Sequence, residues 1–558
     1  MALGVVPYLT LALFLGPVAA GLVFTLLPAF GYLPALGETQ IGFRVFERLF
    51  DQPGLAGSVV LTLGTGFAAS LISLGLALGF CAAAHGRPIF RSAERLLAPL
   101  LATPHAAIAL GFAFLIAPSG WLVRLVSPEL TGWTRPPDFA SVGDSAGIAL
   151  VLGLVLKEAP YLLLMAVAAH GQIAATATMA TARTLGYSPF AAWLKAILPQ
   201  LYPQIRLPIY AVLAFSLSAV DVALILGPSN PPPLAVLAVR WANDPLLDLF
   251  LPAMAAASLQ LLLVAGAIGL WRLGEAAVAH LARPWLADGT RGRTLEHAAP
   301  VARATLVAVA AINAVCVAAM ALWSVATAWR FPHALPERWS FDNWMRAAGR
   351  LAEPAATTLS VAAAATVAAL VLVCLCLENE TRRQRAAGPS ALWALYLPLL
   401  VPQISFLLGA QSLLVRLGWD GTWAALVWFH LLFVLPYVFL VLADPWRALD
   451  PRYAKLAACL GAAPWRVFFA VRLPLLLRPL LVAAAVGFAV SVGLYLPTVL
   501  GGGGRLTSLA TEAVSLASGG DRRIVGVYAF LQALLPLLAY GLALAVPAFL
   551  FRDRRGLR

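Results

Sequence analysis

Four residues carry chemistry where an apolar sequence rarely tolerates it: Lys157, Glu158, Asp221 and Tyr495. Lys157 and Glu158 lie inside the apolar run 150–169, and a charge at the centre of a bilayer costs roughly 2.5–3.5 kcal/mol on insertion scales. In a helix spanning 146–169, Lys157 stands about 11 residues, hence about 16 Å, from either end, too deep for easy snorkelling. Consecutive helical positions point about 100° apart, so the two charges cannot simply neutralise each other. Two readings follow. One is an interhelical ion pair that fixes packing, for instance Lys157 with Asp221. The other is a polar lining of a path across the membrane, where an acidic Asp221 and an aromatic Tyr495 suit a cationic solute.

Other chemistries lack their residues. The only lysines are Lys157, Lys195 and Lys455, and none follows the glycine pattern of a phosphate-binding loop. ATP hydrolysis, if used, must come from another polypeptide, and no cofactor is expected on this chain. Cys81, Cys316, Cys374, Cys376 and Cys459 have no metal-ligand spacing with histidine and read as small hydrophobes. His105, His170 and His430 fall at or near the ends of apolar runs, without Cys, Asp or Glu at ligand spacing, and read as satisfied or interfacial residues rather than metal ligands. Pro160 and Pro436 read as kinks, and 501–504, four consecutive glycines, as a flexible turn or part of a docking surface.

These residues need a membrane body to position them, and the composition supplies one. Of the 558 residues, 61% are hydrophobic and only 11% charged, against about a quarter charged in soluble domains. The pattern predicts an all-α polytopic membrane protein with about twelve spans: 6–30, 58–80, 96–117, 146–169, 207–227, 249–271, 301–325, 355–377, 391–414, 422–442, 479–499 and 524–550. The first run has no basic flank and is too long for a cleaved signal peptide, so it reads as a span. The net charge of +13 does not imply nucleic acid, because the basic residues sit at the ends of apolar runs. With the N-terminus inside, 24 of the 38 Lys and Arg face the cytoplasm, which predicts both termini there.

One basic stretch, 450–479, stands between apolar runs. Asp450 is a good N-cap and Pro451 a good first helical residue. Tyr453, Leu456, Ala457 and Leu460 share a helical face, Gly461 is a left-handed stop, and Pro464 starts a second helix carrying Trp465, Phe468 and Phe469. Leu473-Pro474 ends it. A weaker copy lies earlier. The offset that carries Gly186 to Gly461 also carries Leu198-Pro199 to Leu473-Pro474, and Phe190, Trp193 and Leu194 to Trp465, Phe468 and Phe469. Pro160-Tyr161 meets Pro436-Tyr437 one position further on, and Asp221 falls beside Tyr495. Matched landmarks in matched order predict an internal duplication: a first six-span repeat at 1–285, a cytoplasmic linker at 286–300 and a second repeat at 301–558. An even number of spans per repeat makes the two parallel.

The pattern Ala457, Gly461, Leu473-Pro474, with Ala182, Gly186, Leu198 and Pro199 in the first copy, resembles the cytoplasmic loop signature of binding-protein-dependent ABC importer permeases. The resemblance covers nearly the whole chain as two fused permease domains of the type I importer kind. It implies that each loop docks on a cytoplasmic ATPase dimer, and that an external or periplasmic binding protein delivers substrate. It also implies residence in the bacterial inner membrane. The span holding Asp221 or Tyr495 would line the path, with Lys157 and Glu158 beside it. The family's loop glutamate falls on Ala180 and Lys455 here, so a charge contact through it is absent or replaced, and coupling would rest on shape and on the aromatic face of Trp193 and Trp465. The stretch from Tyr495 to Gly520 resembles fused permeases of thiamine uptake, with ferric-iron uptake as the alternative solute. A secondary transporter driven by an ion gradient is the competing class.

Overall fold

The computed structural model describes residues 2–90, 101–385 and 388–552. It is helical almost throughout; its one small sheet pairs Ala326–Ala328 antiparallel with Arg338–Trp339. Among the described residues nine helices are long and apolar enough to cross a membrane, and counting each of two bent pairs as one span gives eleven. The expected start of the third span at 96 lies outside the described residues.

The spans break where the backbone cannot continue a helix. Pro402 lacks an N–H and pushes the residue before it out of helical geometry, so Val401 is extended and the segments Trp393–Leu400 and Gln403–Leu417 meet at 92°. The fifth expected span is two helices, Leu198–Ser218 and Asp221–Leu226, parted at an extended Ala219. The eleventh is likewise Leu477–Gly493 and Leu496–Gly502, parted at an extended Leu494. These two breaks share the offset that relates Gly186 to Gly461. Only half of the glycine run 501–504 is a turn: Gly503 and Gly504 turn with positive φ, whereas Gly501 and Gly502 are buried at the end of that short helix, and a side chain on Gly501 would strike the Phe429 ring.

Helices from the first half of the chain pack against helices from the second. Val6–Ala29 lies along Gln403–Leu417, and Ala298–Val325 packs on Leu55–Ala84 and His105–Ile116. Small residues let the first pair touch backbone to backbone. A Cβ added to Gly409 would fall 2.0 Å from the Gly21 carbonyl oxygen, and one on Gly21 would fall 2.2 Å from that of Phe406. Buried polar groups pin the crossings: Gly409 N–H donates to Thr25 Oγ1 at 3.0 Å, Ser405 Oγ to the Ala257 carbonyl at 2.7 Å and Asn313 Nδ2 to the Leu156 carbonyl at 2.8 Å. Such pairing is what makes a polar group tolerable in an apolar interior.

Candidate functional site

The two basic loops fold as helix, left-handed glycine, helix, in the same register. In the first, Ala175–Thr184 is followed by Gly186 at φ +85°, Pro189–Ala192, a π turn Trp193–Ile197, and the long helix from Leu198. In the second, Pro451–Cys459 is followed by Gly461 at φ +82°, Pro464–Val467, a π turn Phe468–Arg472, and Leu473. Both glycines adopt a conformation that costs other residues their Cβ clearance. The chain just beyond each then closes the helix end: Tyr187 N–H donates to the Ala182 carbonyl at 3.2 Å and Ala462 N–H to the Ala457 carbonyl at 3.0 Å. Asp450 caps the second loop helix by accepting from the Arg452 N–H at 2.8 Å.

The loops differ in what covers them. In the second, Tyr453, Leu456 and Leu460 are exposed, as are Trp465 at 44% and Phe469 at 62%. Lys455 and Pro474 face solvent and Leu473 is half-buried. In the first, Trp193 is fully buried, so the expected surface role of its ring does not hold. A strap formed by residues 288–297 is laid over this loop. Lys195 Nζ donates to Asp288 Oδ1 at 2.7 Å and Thr290 Oγ1 at 3.1 Å. Ser188 donates through its N–H to the Arg291 carbonyl and through its hydroxyl to the Gly292 carbonyl, both at 3.0 Å. Phe190 N–H donates to Glu296 Oε1 at 2.7 Å. The Asp288 carboxyl is held down at about 2 by the bonds from Lys195 and Thr290. Sequence reasoning placed these residues in a linker and did not foresee their contact, because the partners are far apart along the chain.

The second loop is tied instead to the helix Asp342–Arg383. Glu378, buried near its end, accepts from Arg382 Nε at 2.6 Å and also from Arg472 Nη1 at the end of the π turn. Glu378 was not singled out in the sequence, where it falls just past a predicted span; its i, i+4 spacing to Arg382 was the available signal.

Inside the membrane body, Lys157 and Glu158 are both buried and point to different partners. Lys157 Nζ donates to the Thr103 carbonyl at 2.6 Å, and among the described residues no ion pair joins it to Asp221. Glu158 Oε1 meets His105 Nε2 at 3.1 Å. His105 is the first residue of His105–Ile116 and its ring centroid stands 4.6 Å from that of Phe215. It is therefore part of this cluster rather than an interfacial bystander. Asp221 opens the short helix after the break, and that helix packs on His105–Ile116. The structure thus joins Glu158 to His105, sets the helix opened by Asp221 against the helix of His105, and gives Lys157 a different partner. His430, unlike His105, is not at a helix end. It lies inside Trp423–Ala448, buried between Ser491 Oγ at 2.7 Å and Thr498 Oγ1 at 3.0 Å.

An all-helical membrane body with a polar seam inside and two register-matched loops at one end is the build of a membrane transport permease. No family model matches the chain. It is 32% identical over 531 residues, 94% of both chains, to the inner membrane ABC transporter permease protein YnjC of Escherichia coli (strain K12). It is also 34% identical over 95 residues to the molybdenum transport system permease protein ModB of Azotobacter vinelandii, a match to 17% of this chain and 42% of that one. The chain belongs to the ABC transporter permease family. It is a multi-pass inner-membrane protein and a non-catalytic transport component, of the kind that works with ATPase subunits.

Proposed function

We propose that this permease is the translocation subunit of an ATP-driven importer for a small solute, assembled from two parallel repeats joined at 286–300. Both loops face the cytoplasm with the termini and couple to an ATPase dimer, while a binding protein delivers solute to the opposite face. The observation that carries this reading is the pair of loops. Helix, left-handed glycine and π turn recur in the same order in both, and the second copy exposes the apolar side chains Tyr453, Leu456, Leu460 and Trp465. Two rigid knobs in matched register suit a motor that works as a dimer. The seam of Glu158, His105, Asp221 and Tyr495 lies along the broken helices and suits a cationic solute, since carboxylates and aromatic faces both attract positive charge. Thiamine, a cation, is the solute we favour, on the resemblance of the stretch 495–520 to fused permeases of thiamine uptake.

The test is Gly461→Pro in the permease reconstituted with its ATPase. Proline cannot adopt φ +82°, so the variant should insert normally yet lose transport and stimulated ATP hydrolysis. Normal transport in that variant overturns the coupling role. Uptake of radiolabelled thiamine that depends on ATP would support the solute, and its absence would remove thiamine alone.

A further inference from the structure

We propose that Glu378 is a positioning residue that transmits movement of the second loop into the membrane-spanning helices. The inference rests on the coupling-loop reading above. Four side chains form an unbroken line from the outer face of that loop to the helix that follows it. Trp465, exposed on the loop, stacks with Phe469 at 6.2 Å between ring centroids and lies 4.6 Å from the Arg382 guanidinium. Arg382 donates to Glu378, and Glu378 accepts on its other oxygen from Arg472. Arg472 ends the π turn just before Leu473-Pro474, and the segment Pro464–Leu475 that holds it meets Leu477–Gly493 at 76° across Leu476.

The arrangement is directional for a physical reason. Glu378 is one buried carboxylate shared by two guanidinium groups, and charge-assisted bonds of this kind fix geometry as well as distance. A push on Trp465 reaches Arg382, and neither arginine can leave the carboxylate without stranding a buried charge. Asp342–Arg383, which carries Glu378, packs along Trp423–Ala448 and Leu477–Gly493, so a shift at its end is delivered to the bundle. Neighbouring contacts brace the same helix end: Arg447 Nη2 donates to Glu380 Oε2 at 3.0 Å, and Trp446 Nε1 to Thr381 Oγ1 at 3.2 Å. In the first loop the position matching Arg472 is Ile197, fully buried, so that loop has no such cation and is secured by its strap instead.

The experiment uses the full-length permease purified with its ATPase and reconstituted in vesicles. Spin labels go at Ser229→Cys and Ser518→Cys, exposed at the end of the bundle away from the loops, in a Cys459→Ser background. In the parent complex, trapping with MgATP and vanadate should change the distance between the labels. Glu378→Gln should keep the co-purified ATPase and its basal hydrolysis while losing most of that change, and Glu378→Asp should restore part of it. If Glu378→Gln does not fold, Arg472→Lys, which keeps the charge but not the forked geometry, carries the test. A full distance change in the variant overturns the proposal. So does loss of the ATPase from the complex, which would make Glu378 a structural residue only. Should the parent itself retain no ATPase, and Gly461→Pro behave as the parent does, the coupling-loop reading fails first.

Discussion

The His105 imidazole and the Glu158 carboxylate meet at 3.1 Å, although 53 residues of chain separate them. Glu158 comes from the middle of Ile148–His170, and His105 opens a helix whose preceding residue, Pro104, is extended. On the proposed path, Glu158→Gln keeps the shape and removes the charge. A hydrogen bond to a charged group is worth about 1.5–3 kcal/mol, so transport should fall about tenfold to a hundredfold. The variant should remain inserted and bound to its ATPase. Uptake assays beside a pull-down of the ATPase check this; unchanged uptake would show that the pair only packs.

The strap over the first loop hangs on Lys195 and Asp288 at 2.7 Å. Lys195→Ala should free 288–297 and speed tryptic cleavage after the exposed Arg291 and Arg293 by about two- to fivefold, as befits a partly exposed pair. The pH dependence has a definite sign. The Asp288 carboxyl is lowered to about 2 by its bonds from Lys195 and Thr290, so this contact is fully present above the ordinary value of 3.8 and is lost only as pH falls toward about 2. Cleavage of the parent should therefore not vary with strap opening between about pH 5 and pH 8.

Gly409→Ala tests the crossing of the two ends of the chain. The added carbon would fall 2.0 Å from the Gly21 carbonyl oxygen, a clash with backbone that no rotamer relieves. Overpacking of this kind costs about 1–3 kcal/mol. A lower melting temperature in detergent is the expected outcome, with Gly16→Ala, which meets nothing within 4 Å, as the silent control.

Much of this was legible in the sequence because glycine and proline punctuate it. Gly186, Gly461, Pro189 and Pro464 stand where both loops turn, and Asp450 caps the helix it was expected to cap. What sequence reasoning could not supply was burial set by distant chain. Phe190 and Trp465 hold the same aromatic position in the two loops, but Phe190 is buried under a strap that comes much later in the chain, while Trp465 is exposed. The same holds for His105 with Glu158 and for Glu378 with Arg472, 94 residues apart. Among the described residues nine to eleven helices are long and apolar enough to span, where about twelve were expected, and the expected fifth span is broken at an extended Ala219.

The crossing of Gly21 with Gly409 also has a consequence in time. A ribosome adds roughly 5–20 residues per second, so the first helix of this chain must wait on the order of 20–80 s before its partner Gln403–Leu417 exists. Throughout that interval the notch at Gly21 faces lipid or the insertion machinery. The helix Phe250–Ala287, which also packs on the first helix, is made earlier and can steady it meanwhile, and the notch itself is filled only when Gln403–Leu417 arrives.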